Sequence, residues 1–452
     1  MRALELHALH ALRINFSMIL PITKNTDPIW KQKFKNINRV DQTVNNLVAD
    51  MHETLEFTGG VGLAAPQVGL PLRVFVVNYG KLREVFINPK ILEKAKVTSE
   101  GEEGCLSVPG FRGLVYRSNE LTIDYLDLRG RPKRAKLSGY YARIIQHEYD
   151  HLNSLFYLDR IVSKKKKLMQ FSPIRLIFFG TPEFGAIVLK SIIGQAVVGE
   201  YEVLLVITQP KSASGKGNKI KLSPVQSLAQ GFSIHTIQPP KLSDKSVLQV
   251  LKKLKPDCFV VASYGQILPK SILDLPKYGS LNIHASLLPK YRGASPIQSA
   301  LLNNDSQTGV TIMLMNEKMD EGDVLGKVKV NIGKNETADE LSVKLAKIGA
   351  ELLHQVLHLW VNKRIKPHKQ LKSKATYTQR LTRDSGYIDW KKPPKNLENM
   401  IRAFHPWPGV WTNYNGKILK FLPENKVQLE GKQPVKISDF KQGHKDLKIS
   451  LD

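Results

Sequence analysis

Four consecutive lysines, Lys164 to Lys167, followed by Pro173, divide this sequence into two regions with different patterning. A solvated basic run between patterned segments reads as a linker, here over 163–173. The chain must therefore fold as separate units. At 452 residues it is long enough for two or three domains with cores of their own. Upstream, residues 73–78 and 121–128 have the β-branched, alternating character of strands. Residues 140–152 read as a helix with Ala142, Ile145 and Tyr149 on one buried face. This predicts an α+β unit over 18–162. Downstream, residues 174–179, 203–208 and 258–262 read as short apolar strands alternating with helices, which predicts a parallel, doubly wound α/β sheet over 174–374. From Ala375 the pattern changes to short strands, turns and Trp/Pro clusters such as 405–411, the mark of a small β-rich domain over 375–452.

The formal net charge is +27, an excess that points to a polyanionic partner such as RNA. A lysine-rich composition imposed on the whole chain is the alternative source. Two cysteines, Cys105 and Cys258, are too few for a disulfide framework and suit a reducing compartment. No apolar run approaches the ~20 residues of a membrane span, so no membrane partner is expected. Residues 1–17 hold two arginines and several leucines at roughly helical spacing, and read as an upstream extension rather than a transit peptide.

Chemistry-bearing residues cluster twice. In the first unit His147 and His151 are four apart, so on a helix both imidazoles leave one face and can share an ion, with Glu148 beside them to handle a water proton. Cys105, in the stretch Glu103-Gly104-Cys105-Leu106-Ser107, is the candidate third ligand. One thiolate and two imidazoles leave a coordination position open, as catalytic sites do. In the second unit Asn282 and His284 alternate on a strand end and so share a side of the sheet. Asn can donate to an oxyanion and His can shuttle a proton near neutral pH, with Asp320 or Asp323 as the carboxylate that orients it.

The stretches GVGLAAPQ, EGCLS and QHEYDH follow one another as in peptide deformylases, and the resemblance covers residues 18–162. It implies a deformylase-like α+β fold and a divalent metal, iron(II) with zinc(II) or another divalent ion as alternatives, held by Cys105, His147 and His151. It also implies that Glu148 moves the proton, and that the Gln67 amide and the Leu106 N–H stabilise the oxyanion. Where that family has glycine after its third motif this chain has Ser154, which predicts a local adjustment of a turn.

From residue 174 onward, IRLIFFGTPEF, LNIHASLLPKYRGASPIQ, MDEGDVL and FHPWPG resemble methionyl-tRNA formyltransferases. That resemblance implies a Rossmann-like catalytic domain, then a small OB-like β-barrel that binds tRNA. The family continues past the length seen here, so a truncated barrel is expected. The resemblance makes Asn282, His284 and Asp320 the catalytic trio. It assigns Ser286, Leu287, Leu288 and Pro289, with Tyr264, Gly265, Gln266, Ile267 and Leu268, to the site of the donor, 10-formyltetrahydrofolate. The loop carrying Lys211, Lys216, Lys219 and Lys221 suits tRNA phosphates. The family has arginine at the Lys216 position, and lysine keeps the charge without the bidentate fork.

Together the resemblances imply two formyl chemistries in one cytoplasmic, bacterial-type monomer. One adds formyl to initiator Met-tRNA, and the other removes it from N-formyl-Met nascent peptides at the ribosome. An organellar location would follow only if residues 1–17 were a transit peptide. The alternative keeps one centre active and the other domain as a tRNA- or ribosome-binding module.

Overall fold

The computed structural model describes residues 18–161, 169–170, 172–210, 221–389, 392 and 394–444, with only the backbone described at 169–170. The extension 1–17, most of the basic linker, and Lys211, Lys216 and Lys219 lie outside the described residues. The chain forms two compact units, Met1–Ile174 with Ser191–Glu202, and Arg175–Lys190 with Val203–Asp452.

The first unit is built on a five-stranded antiparallel sheet in the order β1-β2-β3-β6-β7, with β1 Gly62–Ala64, β2 Val74–Tyr79, β3 Leu82–Lys94, β6 Glu120–Leu126 and β7 Pro132–Ser138. A second sheet has the order β4-β5-β8, with β4 Thr98–Cys105, β5 Val108–Ser118 and β8 Met169–Gln170. Helix α1, Gln42–Thr58, begins where the Asp41 carboxylate accepts the Val44 N–H at 3.1 Å, which satisfies one of the amides a helix start leaves open. Helix α2 is Gly139–His151.

Successive side chains of a strand point to opposite faces, and β2 shows why its run is continuously apolar. Val74 and Val76 pack with Met51 and Leu55 of α1, whereas Phe75 and Val77 pack with Ala142 and Ile145 of α2. The strand is covered on both sides, so no polar position is tolerated in its buried stretch. Of the three residues read from sequence as the inner face of α2, Ala142 and Ile145 are fully buried, whereas Tyr149 is only partly buried and packs at the edge of that cluster.

The second unit holds a seven-stranded sheet in the order β11-β10-β9-β12-β13-β15-β16. Its strands are β9 Ile174–Gly180, β10 Tyr201–Ile207, β11 Thr236–Ile237, β12 Cys258–Ala262, β13 Ser280–His284, β15 Gln307–Leu314 and β16 Val324–Asn331. Strands β9, β12 and β13 run parallel, as do β10 and β11, while β15 and β16 are antiparallel to their neighbours. The alternation of strand and helix read from the sequence is thus present. What it did not indicate is the antiparallel β15–β16 hairpin, which supplies one wall of the site below. Helix α3, Ala338–Val361, follows it, with Thr337 and Glu340 forming a capping box.

A short parallel pair joins β14, Arg292–Gly293, to β17, Tyr377–Thr378. After it come β18 Val410–Tyr414, β19 Lys417–Leu422, β20 Lys426–Leu429 and β21 Val435–Lys436, an antiparallel meander in chain order. No pairing among the described residues closes these four strands into a barrel. Among the described residues no helix is long and apolar enough to cross a membrane, and both cysteines are free.

Candidate active sites

The first site forms where β4 ends against α2. A bulge in the β4–β5 pairing falls between Gly104 and Cys105, and such bulges re-aim a side chain. Cys105 Sγ stands 3.2 Å from His151 Nε2, and His151 Nε2 stands 3.2 Å from His147 Nε2. The outer ring nitrogens are already committed. His147 Nδ1 donates to the Glu103 carboxylate at 3.0 Å, and His151 Nδ1 donates to the Leu155 carbonyl at 3.1 Å. Carboxylate and carbonyl only accept, so both protons sit on Nδ1 and both Nε2 lone pairs face inward. Two imidazole lone pairs and a sulfur converge, all within 4.8 Å of one another, an arrangement that one shared cation would satisfy. The donor set therefore fits a divalent metal of borderline softness.

Around this trio lies a buried ionic network. Glu103 accepts Arg117 Nε at 3.0 Å and Nη2 at 2.8 Å, and Arg143 Nη1 at 2.9 Å. Arg117 reaches on to Asp150, which also accepts Arg160 Nη2 at 2.8 Å. Burial pushes the Glu103 carboxyl pKa upward, but donation from His147 and Arg117 outweighs it and holds the group well below the usual carboxylate range. Glu148 is different. It is buried, its Oε2 has no hydrogen-bond partner among the described residues, and desolvation pushes its pKa up to about 7. A carboxyl poised there can both take and return a proton near neutrality. Its carboxylate occupies the space that a Cβ on Gly62 would fill, which accounts for the glycine at the head of GLAAPQ.

Gln67 is buried, and its orientation is fixed. Its Oε1 accepts the Ala64 N–H at 2.8 Å, which turns Nε2 toward Cys105 Sγ at 3.5 Å. Leu106 follows Cys105 in the same cleft, which Gly60, Val61 and Glu148 also line. The structure thus brings together every residue singled out from sequence for the first site.

Ser154 takes φ 56° and donates its N–H to the His151 carbonyl at 3.1 Å. The turn keeps a left-handed conformation that glycine would adopt without steric cost.

The second site lies at the carboxyl end of β13, the usual place for a ligand in such sheets. His284 Nε2 donates to the Tyr291 carbonyl at 2.9 Å, leaving Nδ1 to face Asp320 Oδ2 at 3.7 Å. Asn282 Nδ2 donates to Asp320 Oδ1 at 3.4 Å. Asp320 is therefore the carboxylate that addresses His284. The Asp323 carbonyl accepts the Leu314 N–H in the β15–β16 turn.

The residues assigned to the folate site divide into two groups. Ser286 is buried, with Oγ donating to the Lys290 carbonyl at 2.6 Å and its own carbonyl accepting Thr311 Oγ1 at 2.7 Å. Leu288 is buried, while Leu287 and Pro289 are half-buried beside it. Tyr264 and Leu268 belong to the core under β9 and β12. Gly265, half-buried Gln266 and the strongly exposed Ile267 lie between them. Lys221 is exposed.

Sequence reasoning missed the residues that hold these groups in place. Glu103 and Asp150 stood inside the quoted stretches as charges without a task, which was a usable signal. Arg143, an arginine between Ala142 and Ile144 on a buried helix face, was another. Arg117 carried none.

Residues 19–167 match the family described as polypeptide deformylase, 174–357 match formyl transferase, and 380–425 match formyl transferase, C-terminal domain. The chain is 43% identical over 262 residues to a methionyl-tRNA formyltransferase of Caldanaerobacter subterraneus subsp. tengcongensis, covering 58% of this chain and 84% of that one. It is 42% identical over 247 residues to the one of Geobacter sulfurreducens, covering 55% and 77%. Among solved structures it is similar to peptide deformylase from Thermotoga maritima, with 38% identity, a TM-score of 0.32, and coverage of 33% of this chain and 100% of that one. It is also similar to a peptide deformylase from Synechococcus elongatus solved with actinonin, with 34% identity, a TM-score of 0.32, and coverage of 34% and 86%. From residue 174 onward the chain belongs to the methionyl-tRNA formyltransferase family, and ahead of that it carries a segment of the polypeptide deformylase family.

Proposed function

We propose that both centres are active, so that one chain formylates Met-tRNA and deformylates the peptides begun from it. The observation that supports this reading is that each set of reactive groups is complete. Cys105, His147, His151, Glu148 and Gln67 converge in one unit, and Asn282, His284 and Asp320 in the other.

In the first centre a divalent ion, iron(II) or alternatively zinc(II), would be held by Cys105, His147 and His151. When bound it acidifies water and polarises the formyl carbonyl. The rest of the chemistry belongs to the chain. Glu148 takes the proton of the attacking water and returns it to the leaving amine as the C–N bond breaks. The Gln67 Nε2–H and the Leu106 N–H donate to the oxygen on which charge develops. The products are formate and a free methionine amine.

In the second centre the methionyl amine attacks the formyl carbon of 10-formyltetrahydrofolate. Asn282 Nδ2–H and the Nδ1–H of protonated His284 meet the oxyanion, Asp320 steadies the imidazolium, and the C–N10 bond breaks as the proton lost by the amine passes to N10. Residues 286–289 and 264–268 form the folate site in this reading. We take the sheet over 174–374 as Rossmann-like and the terminal strands as part of an OB-like barrel. Lys221, with Lys211, Lys216 and Lys219, would neutralise tRNA phosphates. The protein would act as a cytoplasmic monomer at the ribosome.

The test is a paired assay on the full chain, measuring formate release from a formyl-Met peptide beside formyl transfer to Met-tRNA. Glu148→Ala should abolish only the first, and His284→Ala only the second. Retention of either reaction by its own variant overturns the assignment of that centre.

A further inference from the structure

The second centre depends on a turn whose conformation is not favourable by itself. Asp320 sits at φ 52°, a left-handed conformation that a residue with a side chain adopts reluctantly. Two residues on, a Cβ at Gly322 would run into the Leu314 carbonyl, so the turn is pressed onto the end of β15. Something outside the turn has to hold it.

Gln370 does so through both amide protons. Its Nε2 donates to the Asp320 carbonyl at 2.9 Å and to the Gly322 carbonyl at 2.7 Å. The Gln370 Oε1 in turn accepts Arg292 Nε at 3.1 Å and Nη2 at 2.9 Å. No amide atom of Gln370 is left to rotate toward another partner. Two charged donors on Oε1 also polarise the amide and strengthen its donation to the turn.

Arg292 is only 2% exposed. Its remaining contacts lie on the same turn and on the strand that crosses it. Nη1 donates to Tyr377 Oη at 3.0 Å and pairs with Glu321 Oε1 at 3.2 Å, with the Tyr377 ring 5.7 Å from the guanidinium carbon. The next residue completes the grip, since the Gly293 N–H donates to Asp320 Oδ2 at 2.7 Å. The turn is thus held by its carbonyls through Gln370 and by its carboxylate through β14.

A buried arginine is an unfavourable way to fill space when an aliphatic residue would pack as well. Its fork geometry, spent on Gln370 Oε1, gives it a use that packing does not.

We infer that Arg292 is a positioning residue for formyl transfer, acting through Gln370 to hold the Asp320 turn so that its carboxylate addresses His284 and Asn282. This rests on the reading of the second centre given above.

The experiment uses the full chain and the variants Arg292→Lys, Gln370→Ala and the double variant. Formyl transfer to Met-tRNA is measured, with formate release from a formyl-Met peptide on the same preparations as a control for folding of the other unit. Circular dichroism melting reports the folding of the second unit. A misplaced catalytic carboxylate should lower kcat by about 10- to 100-fold, with both KM values within about threefold. If Arg292 acts through Gln370, the double variant is no slower than the worse single variant.

An unchanged kcat in folded Gln370→Ala overturns the inference, as do multiplying effects in the double variant. A rise in KM with kcat preserved also overturns it. If Arg292→Lys does not fold, the kcat of Gln370→Ala still decides, because that side chain is only half-buried. Retention of transfer by His284→Ala, in contrast, removes the reading of the centre itself and not this relationship alone.

Discussion

The Glu148 carboxylate lies where a Cβ on Gly62 would be. The proton-handling group of the first centre and the glycine of the neighbouring strand are therefore fitted to one another, across a separation in sequence that no local pattern reports.

That fit makes Gly62→Ala a sharp probe. The added methyl has to displace the carboxylate, because β1 is buried and paired with β2. Displacement of about 1 Å is enough for a loss on the order of 100-fold. Formate release should fall by that factor while metal content, measured by plasma mass spectrometry, is retained. Full activity in Gly62→Ala would show that the Glu148 position is not critical.

Glu103 holds His147 by its outer nitrogen and neutralises Arg117 and Arg143. Glu103→Gln removes the charge that both arginines and the imidazole use. Metal affinity should weaken by about 10- to 100-fold, as for other groups that orient a ligand. The first unit should lose about 3–5 kcal/mol, since two buried cations are left short of an anion. Competition with a chelator measures the first effect and denaturant unfolding the second. Unaltered values in both would exclude the network as support for the site.

His52 gives a pH test of stability away from either centre. It is 6% exposed, and burial lowers its pKa to about 4, with the Asn78 side chain 2.7 Å from Nδ1. Well above pH 6.5 neither the folded nor the unfolded chain protonates it. As pH falls from 6.5 toward 4, only the unfolded chain takes up the proton, so stability declines, by about 3 kcal/mol at most. Amide exchange in α1 at pH 7 and pH 5 should show this decline in the native chain and a shallower one in His52→Gln. Equal slopes would mean that other groups carry the dependence.

Ser154 occupies a left-handed position with a side chain that does not need it. Ser154→Gly should stabilise the first unit by about 1 kcal/mol and leave formate release unchanged. A lower melting temperature would indicate that the serine makes a compensating contribution.

Much of the local structure was legible in the sequence because it depends on periodicity alone. The apolar run of β2, the inner face of α2 at Ala142 and Ile145, and the strand–helix alternation after residue 174 all appear where the pattern put them. So does the sharing of one face by His147 and His151, since a four-residue spacing on a helix is a statement about geometry. For the second centre the residue pattern alone left Asp320 and Asp323 equivalent, and only the resemblance singled out Asp320. In the structure the turn between β15 and β16, tight against Leu314, places the Asp320 carboxylate beside His284 and sets the Asp323 carbonyl against the Leu314 N–H.

The sequence by itself therefore determined which reactive groups the chain carries and which of them share a strand or a helix. Only the tertiary structure decided how they are oriented. Glu103 fixes a ring 44 residues away, and Gln370 fixes a turn 50 residues away. Such bonds follow from how the elements pack, because hydrogen bonds act over about 3 Å and take no account of separation along the chain.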